Sequence, residues 1–171
     1  LYTQIPNAHY LTEARYHGAK IVCIAPDYSA SSVHADLFVP VKAGCDAALA
    51  LSVAHVLVED GTIDRRFLCE QTDLPLLVRE DTRRFLRGED LAAGGRDDEL
   101  FFHDTKRGLT AVDRRSLDLA DADPRLEGSF DVTLKDGSEV KCSTVFSLLR
   151  ARLAAYAPER AEAMCGTPAA V

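Results

Sequence analysis

The chain has 171 residues, 47% of them hydrophobic and 27% charged, a composition that supports one sizeable core. Its formal net charge of -7 excludes a general binder of the nucleic-acid backbone, which needs clustered Lys and Arg to displace counterions. No apolar run reaches the roughly 18 residues of a membrane span, nothing at the start has the charged-then-apolar pattern of a secretion signal, and the scattered cysteines Cys23, Cys45, Cys69, Cys142 and Cys165 form no C-x-x-C pair, so neither a zinc site nor a disulfide framework is expected.

After Pro6 and Asn7, the residues Tyr10, Leu11, Ala14 and Tyr16 recur at near-helical spacing and Gly18 offers a stop, which predicts a helix over Ala8 to Tyr16. Lys20 to Ala25 is a short, largely apolar run between glycine and proline, the pattern of a parallel strand buried on both faces. A turn or short helix up to Ala35 separates it from a second strand over Asp36 to Val41. The loop Lys42 to Asp46 then feeds a helix over Ala47 to Glu59, whose apolar residues nearly encircle it, so that burial is expected. A further helix starting near Ile63 and Asp64 is expected to carry Phe67 and Leu68 inward, and Leu76 to Val78 to precede a charged helix through Phe85. This rhythm predicts an α/β fold: a Rossmann-like parallel sheet segment with flanking helices over 1–87.

From Gly88 the sequence turns polar, with weak periodicity, and 88–128 reads as an irregular insertion. Ser129 to Thr144 alternates around Asp136-Gly137, which predicts a β-hairpin. Val145 to Tyr156 and Pro158 to Met164 read as two amphipathic helices parted by a proline, and 129–171 is expected to rejoin the first domain. Leu1 in place of methionine, and a Thr167-Pro168 helix start in the last residues, read as cut ends.

In open α/β sheets ligands sit beyond the carboxyl ends of strands, which singles out Pro26-Asp27-Tyr28 and Lys42 to Asp46. Asp27 could accept hydrogen bonds from ribose hydroxyls or a guanine edge, or could simply cap the next turn. Gly44 would permit close backbone approach, Asp46 suits a helix cap, and the free N–H groups at that helix start suit a ligand acceptor, with Lys42 adding charge near a phosphate. His9 could point at a cofactor, whereas His55 fits a core or interface position. No Ser-His-Asp motif, P-loop, G-x-G-x-x-G or H-E-x-x-H is present.

The stretches Pro6-Asn7-Ala8-His9-Tyr10-Leu11-Thr12-Glu13-Ala14-Arg15-Tyr16, Ala25-Pro26-Asp27-Tyr28 and Ala35 to Ala50 together resemble the molybdopterin oxidoreductases of the dimethyl sulfoxide reductase family. The likeness is closest to the catalytic alpha subunits of its type II branch, which contains nitrate, selenate, chlorate and perchlorate reductases and the dimethyl sulfide and ethylbenzene dehydrogenases. It is strong from Pro6 to about Glu80 and looser beyond. The resemblance implies a segment that binds the guanosine and phosphates of one molybdopterin guanine dinucleotide in a bis(molybdopterin guanine dinucleotide) molybdenum centre. The implied contacts are Asn7 and His9, then Pro26, Asp27 and Tyr28, then Lys42, Gly44 and Asp46. In many family members the acidic residue precedes the strand-end proline, where this chain has Ala25, with Asp27 after Pro26 instead.

No residue here matches the family's molybdenum ligand or its iron–sulfur cysteines, so no catalytic residue is expected in this chain. The chemistry implied for the parent is two-electron oxygen-atom transfer or hydroxylation, with ethylbenzene-type dehydrogenation preferred on likeness around Val22 to Asp60. The implied partners are the remainder of the catalytic subunit, an iron–sulfur beta subunit and a haem subunit, with no direct membrane insertion. The implied location is the periplasm, or the cytoplasmic face of the inner membrane. The competing reading is a cofactor-free α/β interaction or regulatory module.

Overall fold

The computed structural model describes residues 5–112 and 119–171. In chain order the elements are α1 (Ala8–Tyr16), β1 (Val22–Ala25), β2 (Leu37–Pro40), α2 (Asp46–Glu59), α3 (Arg65–Gln71), β3 (Leu77–Arg79), α4 (Gly88–Leu91), β4 (Phe101–Asp104), β5 (Gly108–Ala111), β6 (Ser129–Thr133), β7 (Glu139–Thr144), α5 (Val145–Leu153) and α6 (Pro158–Cys165). The mixed α/β class holds, and the chain divides into two compact units. One is formed by Leu1–Glu59 with Leu153–Val171, the other by Asp60–Arg152.

The first unit is built on a parallel pair, β1 against β2, in the register Val22↔Leu37 to Ala25↔Pro40. Arg15 ties the last turn of α1 to the start of β2, donating to His34 O at 2.9 Å and to Asp36 Oδ1 at 3.1 Å. The other oxygen of Asp36 accepts from Ile21 N at 2.9 Å. That backbone bond, with the nearby Arg15 and Lys20 charges, lowers the Asp36 carboxyl below its ordinary range. The small core of this unit is Val41, Ala161 and Cys165, with Cys45, Ala48 and Leu49 packed on it. α2 therefore buries one face against α6.

Two expectations fail in this unit for one physical reason. β1 is not buried on both faces: Val22 is 52% and Ile24 57% exposed. Likewise α2 is not enclosed, since Ser52 is its one buried residue and Val53, Val56 and Leu57 stand exposed. The sequence of each element is apolar enough for cover on every side, but the described residues supply cover on one side only.

The second unit is antiparallel. β3, β7 and β6 form one sheet, with Val78↔Ser143 and Val132↔Val140 among the paired residues. β6 and β7 are the expected hairpin; Ser138 donates through N and Oγ to Asp136 Oδ1 and closes its turn. The core gathers Leu77, Leu86, Val132, Val140 and Cys142. Burial pushes the Cys142 thiol up to about 11, which fits an inert small hydrophobe.

Where a charged helix is expected through Phe85, the chain instead makes a tight reversal. Arg79 N donates to Arg84 O and Leu86 N to Leu77 O, both at 2.9 Å, and Val78 bridges Phe85. Asp81 accepts from Thr82 N and grips the Arg79 guanidinium, which holds the turn, and Arg83 takes the left-handed conformation at φ 59°. α3 starts as expected, with the Asp64 side chain accepting from Phe67 N at 2.9 Å. It turns Cys69 inward rather than Phe67, which is 55% exposed.

The region expected to be irregular carries a second hairpin. β4 pairs β5 from Phe101↔Ala111 to Asp104↔Gly108. Asp104 is 1% exposed and accepts three backbone bonds, from Asp123 N at 2.7 Å, Lys106 N at 2.8 Å and Arg107 N at 2.9 Å. These donors lower its carboxyl to about 2. One buried side chain thus fixes both the hairpin turn and the segment around Asp123.

Candidate functional site

All eight residues singled out from the sequence lie in the first unit. β1 and β2 end side by side, because Ala25 pairs with Pro40, so the loops that follow them leave neighbouring points of the same sheet end. Val41 N continues the pairing by donating to Ala25 O at 3.3 Å. The parallel register therefore brings Pro26, Asp27 and Tyr28 next to Lys42, Gly44 and Asp46. Asn7 and His9 belong elsewhere: Asn7 stands just before α1 and His9 lies in its first turn, its ring 3.9 Å from that of Tyr10.

The loop after β1 is shaped by Ser32, not by Asp27. Ser29 N donates to Ser32 Oγ, Ser32 N to Ser29 O, and Ser32 Oγ lies 3.3 Å from Cys23 Sγ. Tyr28 sets the edge of its ring against Phe38 at 5.1 Å and stays 64% exposed. The Asp27 carboxylate is exposed and accepts no hydrogen bond among the described residues. Turn capping, the ordinary employment of such an aspartate, is therefore not what it does here.

The loop after β2 is a turn closed by Cys45 N donating to Lys42 O at 3.0 Å. Gly44 occupies it at φ 80°, with nothing within 4 Å of where a Cβ would stand. Its glycine is required by the left-handed backbone, and the space above is open. Asp46 is not the cap expected from the sequence: it is the first residue of α2, and its carboxylate accepts no hydrogen bond among the described residues. There it lies in the first turn, where the helix dipole favours a negative charge. Ala48 N and Leu49 N both donate to Cys45 O, whereas the N–H groups of Gly44, Asp46 and Ala47 have no acceptor among the described residues.

A third segment joins this sheet end. Lys42 N donates to Cys165 O at 2.8 Å, and Thr167 Oγ1 donates to Pro40 O at 2.6 Å. α6 ends at Gly166, left-handed at φ 77°, and a Cβ there would stand 3.1 Å from Lys42 Cε. The Lys42 stem therefore lies along the C-terminal end of a helix, where a cation is favoured, instead of extending freely into solvent. The sequence offered a signal for this arrangement in Cys165-Gly166-Thr167, a helix stop followed by a hydroxyl, but its partner 40 and 42 could not be read from spacing. Among the described residues no group of three or more His, Cys, Asp or Glu is placed to hold a metal ion. None of the described helices is long and apolar enough to cross a membrane.

No protein-family model matches the chain. Individual relatives do. It is 43% identical over 172 residues to the alpha subunit of dimethylsulfide dehydrogenase of Rhodovulum sulfidophilum, an alignment covering 96% of this chain and 18% of the relative. It is 42% identical to the alpha subunit of chlorate reductase of Ideonella dechloratans, over 96% of this chain and 18% of that subunit. With the alpha subunit of perchlorate reductase of Dechloromonas aromatica it shares 38% identity, over 98% of this chain and 21% of the relative. The chain thus spans about a fifth of the length of these relatives.

Proposed function

We infer the role of this chain from one premise: it belongs to the dimethyl sulfoxide reductase family of molybdenum oxidoreductases, as a relative of their catalytic alpha subunits. Within such a subunit it holds the guanosine end of a molybdopterin guanine dinucleotide. The observation that carries this reading is the set of polar groups without employment at one sheet end. Asp27 and Asp46 present open carboxylates, and Gly44, Asp46 and Ala47 present N–H groups with no acceptor among the described residues.

These groups suit the nucleotide end of such a cofactor. Short carboxylates accept from the N–H edge of guanine and from ribose hydroxyls, while helix-start N–H groups and the Lys42 ammonium donate to phosphate oxygens. The open space over Gly44 allows a ligand to approach the backbone there. Pro26 and Tyr28 frame the first loop, and Asn7 and His9 extend the contact surface from the start of α1. When bound, the molybdenum centre supplies two-electron transfer, as oxygen-atom transfer or hydroxylation. This chain orients the cofactor and contributes no catalytic residue.

The parent is then a molybdenum oxidoreductase that meets an iron–sulfur subunit and a haem subunit, carries its own iron–sulfur cluster outside this stretch, and works in the periplasm. For its substrate, ethylbenzene-type hydroxylation stands beside the oxidation of a small thioether and the reduction of chlorine oxyanions suggested by the relatives' names.

The test is made on the whole protein. Asp27→Ala should lower the guanine nucleotide released on denaturation and the molybdenum content together, with the melting temperature unchanged, since Asp27 has no structural bond to lose. An intact wild-type protein with neither molybdenum nor guanine nucleotide would leave the cofactor-free module as the correct reading.

A further inference from the structure

A groove of about 720 Å3 opens in the second unit beside the reversal that follows β3. Its floor is apolar, made of Val78, Phe85, Val145 and Leu148. Its rim is cationic. Arg79 also faces the groove, but Asp81 and Asp90 already hold its guanidinium. Arg87 donates to the main-chain carbonyl of Asp97, which leaves its charge uncompensated. Arg83 and Arg84 are exposed, and neither guanidinium has a partner among the described residues. Against these three cations the lining sets one unpaired carboxylate, Glu89.

Two further observations separate this rim from ordinary surface charge. The chain carries a formal net charge of -7, so a local excess of guanidinium runs against its overall sign. Arg83 also keeps a long cationic side chain at φ 59°, where glycine or asparagine would sit with less strain. Strain retained at an exposed turn points to use of the side chain.

We propose that this groove docks an acidic segment of a partner subunit, which seats an apolar side chain on Val78, Phe85 and Leu148 and sets carboxylates against Arg83 and Arg84. A bare inorganic anion would satisfy the rim and leave the apolar floor wet. A segment with one apolar anchor between acids matches both, because arginine forks pair carboxylates bidentately around a desolvated contact. The proposal rests on the subunit assembly inferred above, and it concerns a surface that the cofactor does not use.

The test uses the full protein isolated with its subunits. The double variant R83E/R84E should weaken retention of one partner subunit about tenfold or more at physiological salt, with molybdenum and guanine nucleotide content unchanged. R83K/R84K keeps the charge, so it assembles, and places amines on the rim that a zero-length carbodiimide couples to carboxylates in contact. Mass spectrometry should find those lysines joined to Asp or Glu of the partner. Undiminished assembly of R83E/R84E, or coupling confined to acids of the same subunit, Glu89 among them, or to a second copy of it, overturns the proposal. Should R83E/R84E fail to fold, the coupling result alone decides. Absence of cofactor from the wild-type protein would refute the cofactor reading while leaving the coupling result to stand or fall by itself.

Discussion

The two units solve the problem of burial differently. The second packs a core of five buried residues around three antiparallel strands, and several of its charged side chains are paired within it, as with Arg79 and Asp81, Arg96 and Asp98, or Arg107 and Asp121. The first leaves Val22, Ile24 and Leu37 of its two strands exposed, and its polar sheet end is only partly employed. An antiparallel sheet tolerates one wet face, whereas a parallel pair with apolar residues on both faces calls for more cover. The unit with incomplete burial also gathers, at the end of its parallel pair, carboxylates and N–H groups that have no partner among the described residues.

The sharpest way to break this comparison is in the core of the second unit. Leu77→Ala should lower the free energy of opening of the β3–β7–β6 sheet by about 2–5 kcal/mol, read by native-state hydrogen exchange of β6 and β7 amides, with β1 and β2 amides unmoved. A loss shared equally by β1 and β2 would mean that the two units open as one.

Acid probes the same unit through Asp104. Its carboxyl is lowered in the fold to about 2, so its contribution is fully present above the ordinary carboxylate value near 4 and is lost as pH falls from there through about 2. Exchange at the β4–β5 hairpin should accelerate over that window in the wild type. Asp104→Asn should flatten that dependence, and an unaltered acid profile would remove Asp104 from the explanation.

Smaller effects are expected in the first unit. Thr167→Val removes the donor to Pro40 O and should cost about 1 kcal/mol, seen as earlier exchange or proteolysis of the segment after α6. Asp46→Ala should cost only a few tenths of a kcal/mol, a dipole effect without a cap, measured by the same exchange. A cost above 1 kcal/mol would restore the capping role expected from sequence.

Local chemistry explains what was legible in advance. α1, the two strands and α2 follow from runs of apolar residues punctuated by Gly18, Pro26, Pro40 and Gly61, and the β6–β7 hairpin follows from Asp136-Gly137. The sheet-end loops could also be placed, because parallel register is implied by a strand, a crossover and a second strand. Partners distant in sequence were beyond reach. The reversal at Glu80 to Phe85 has helix-forming residues, yet β7 recruits Arg79 and Leu77 as a strand, and tertiary pairing overrides propensity. The β4–β5 hairpin hides behind a charged turn whose anchor, Asp104, bonds a residue near 123. Exposure of Phe67 and burial of Cys69 turn on the rotation of a short helix, which two apolar neighbours in a row leave ambiguous.

The first unit is assembled from the two ends of the chain, with the whole of the second unit strung between Glu59 and Leu153. During translation Asp60 to Arg152 leave the ribosome before α6 exists, so the second unit can fold while Lys42 N still lacks Cys165 O and Pro40 O still lacks Thr167. The sheet end that carries the open carboxylates gains these two bonds only after the second unit can fold. Order of synthesis thereby keeps this sheet end without those two bonds until the residues through Thr167 have emerged.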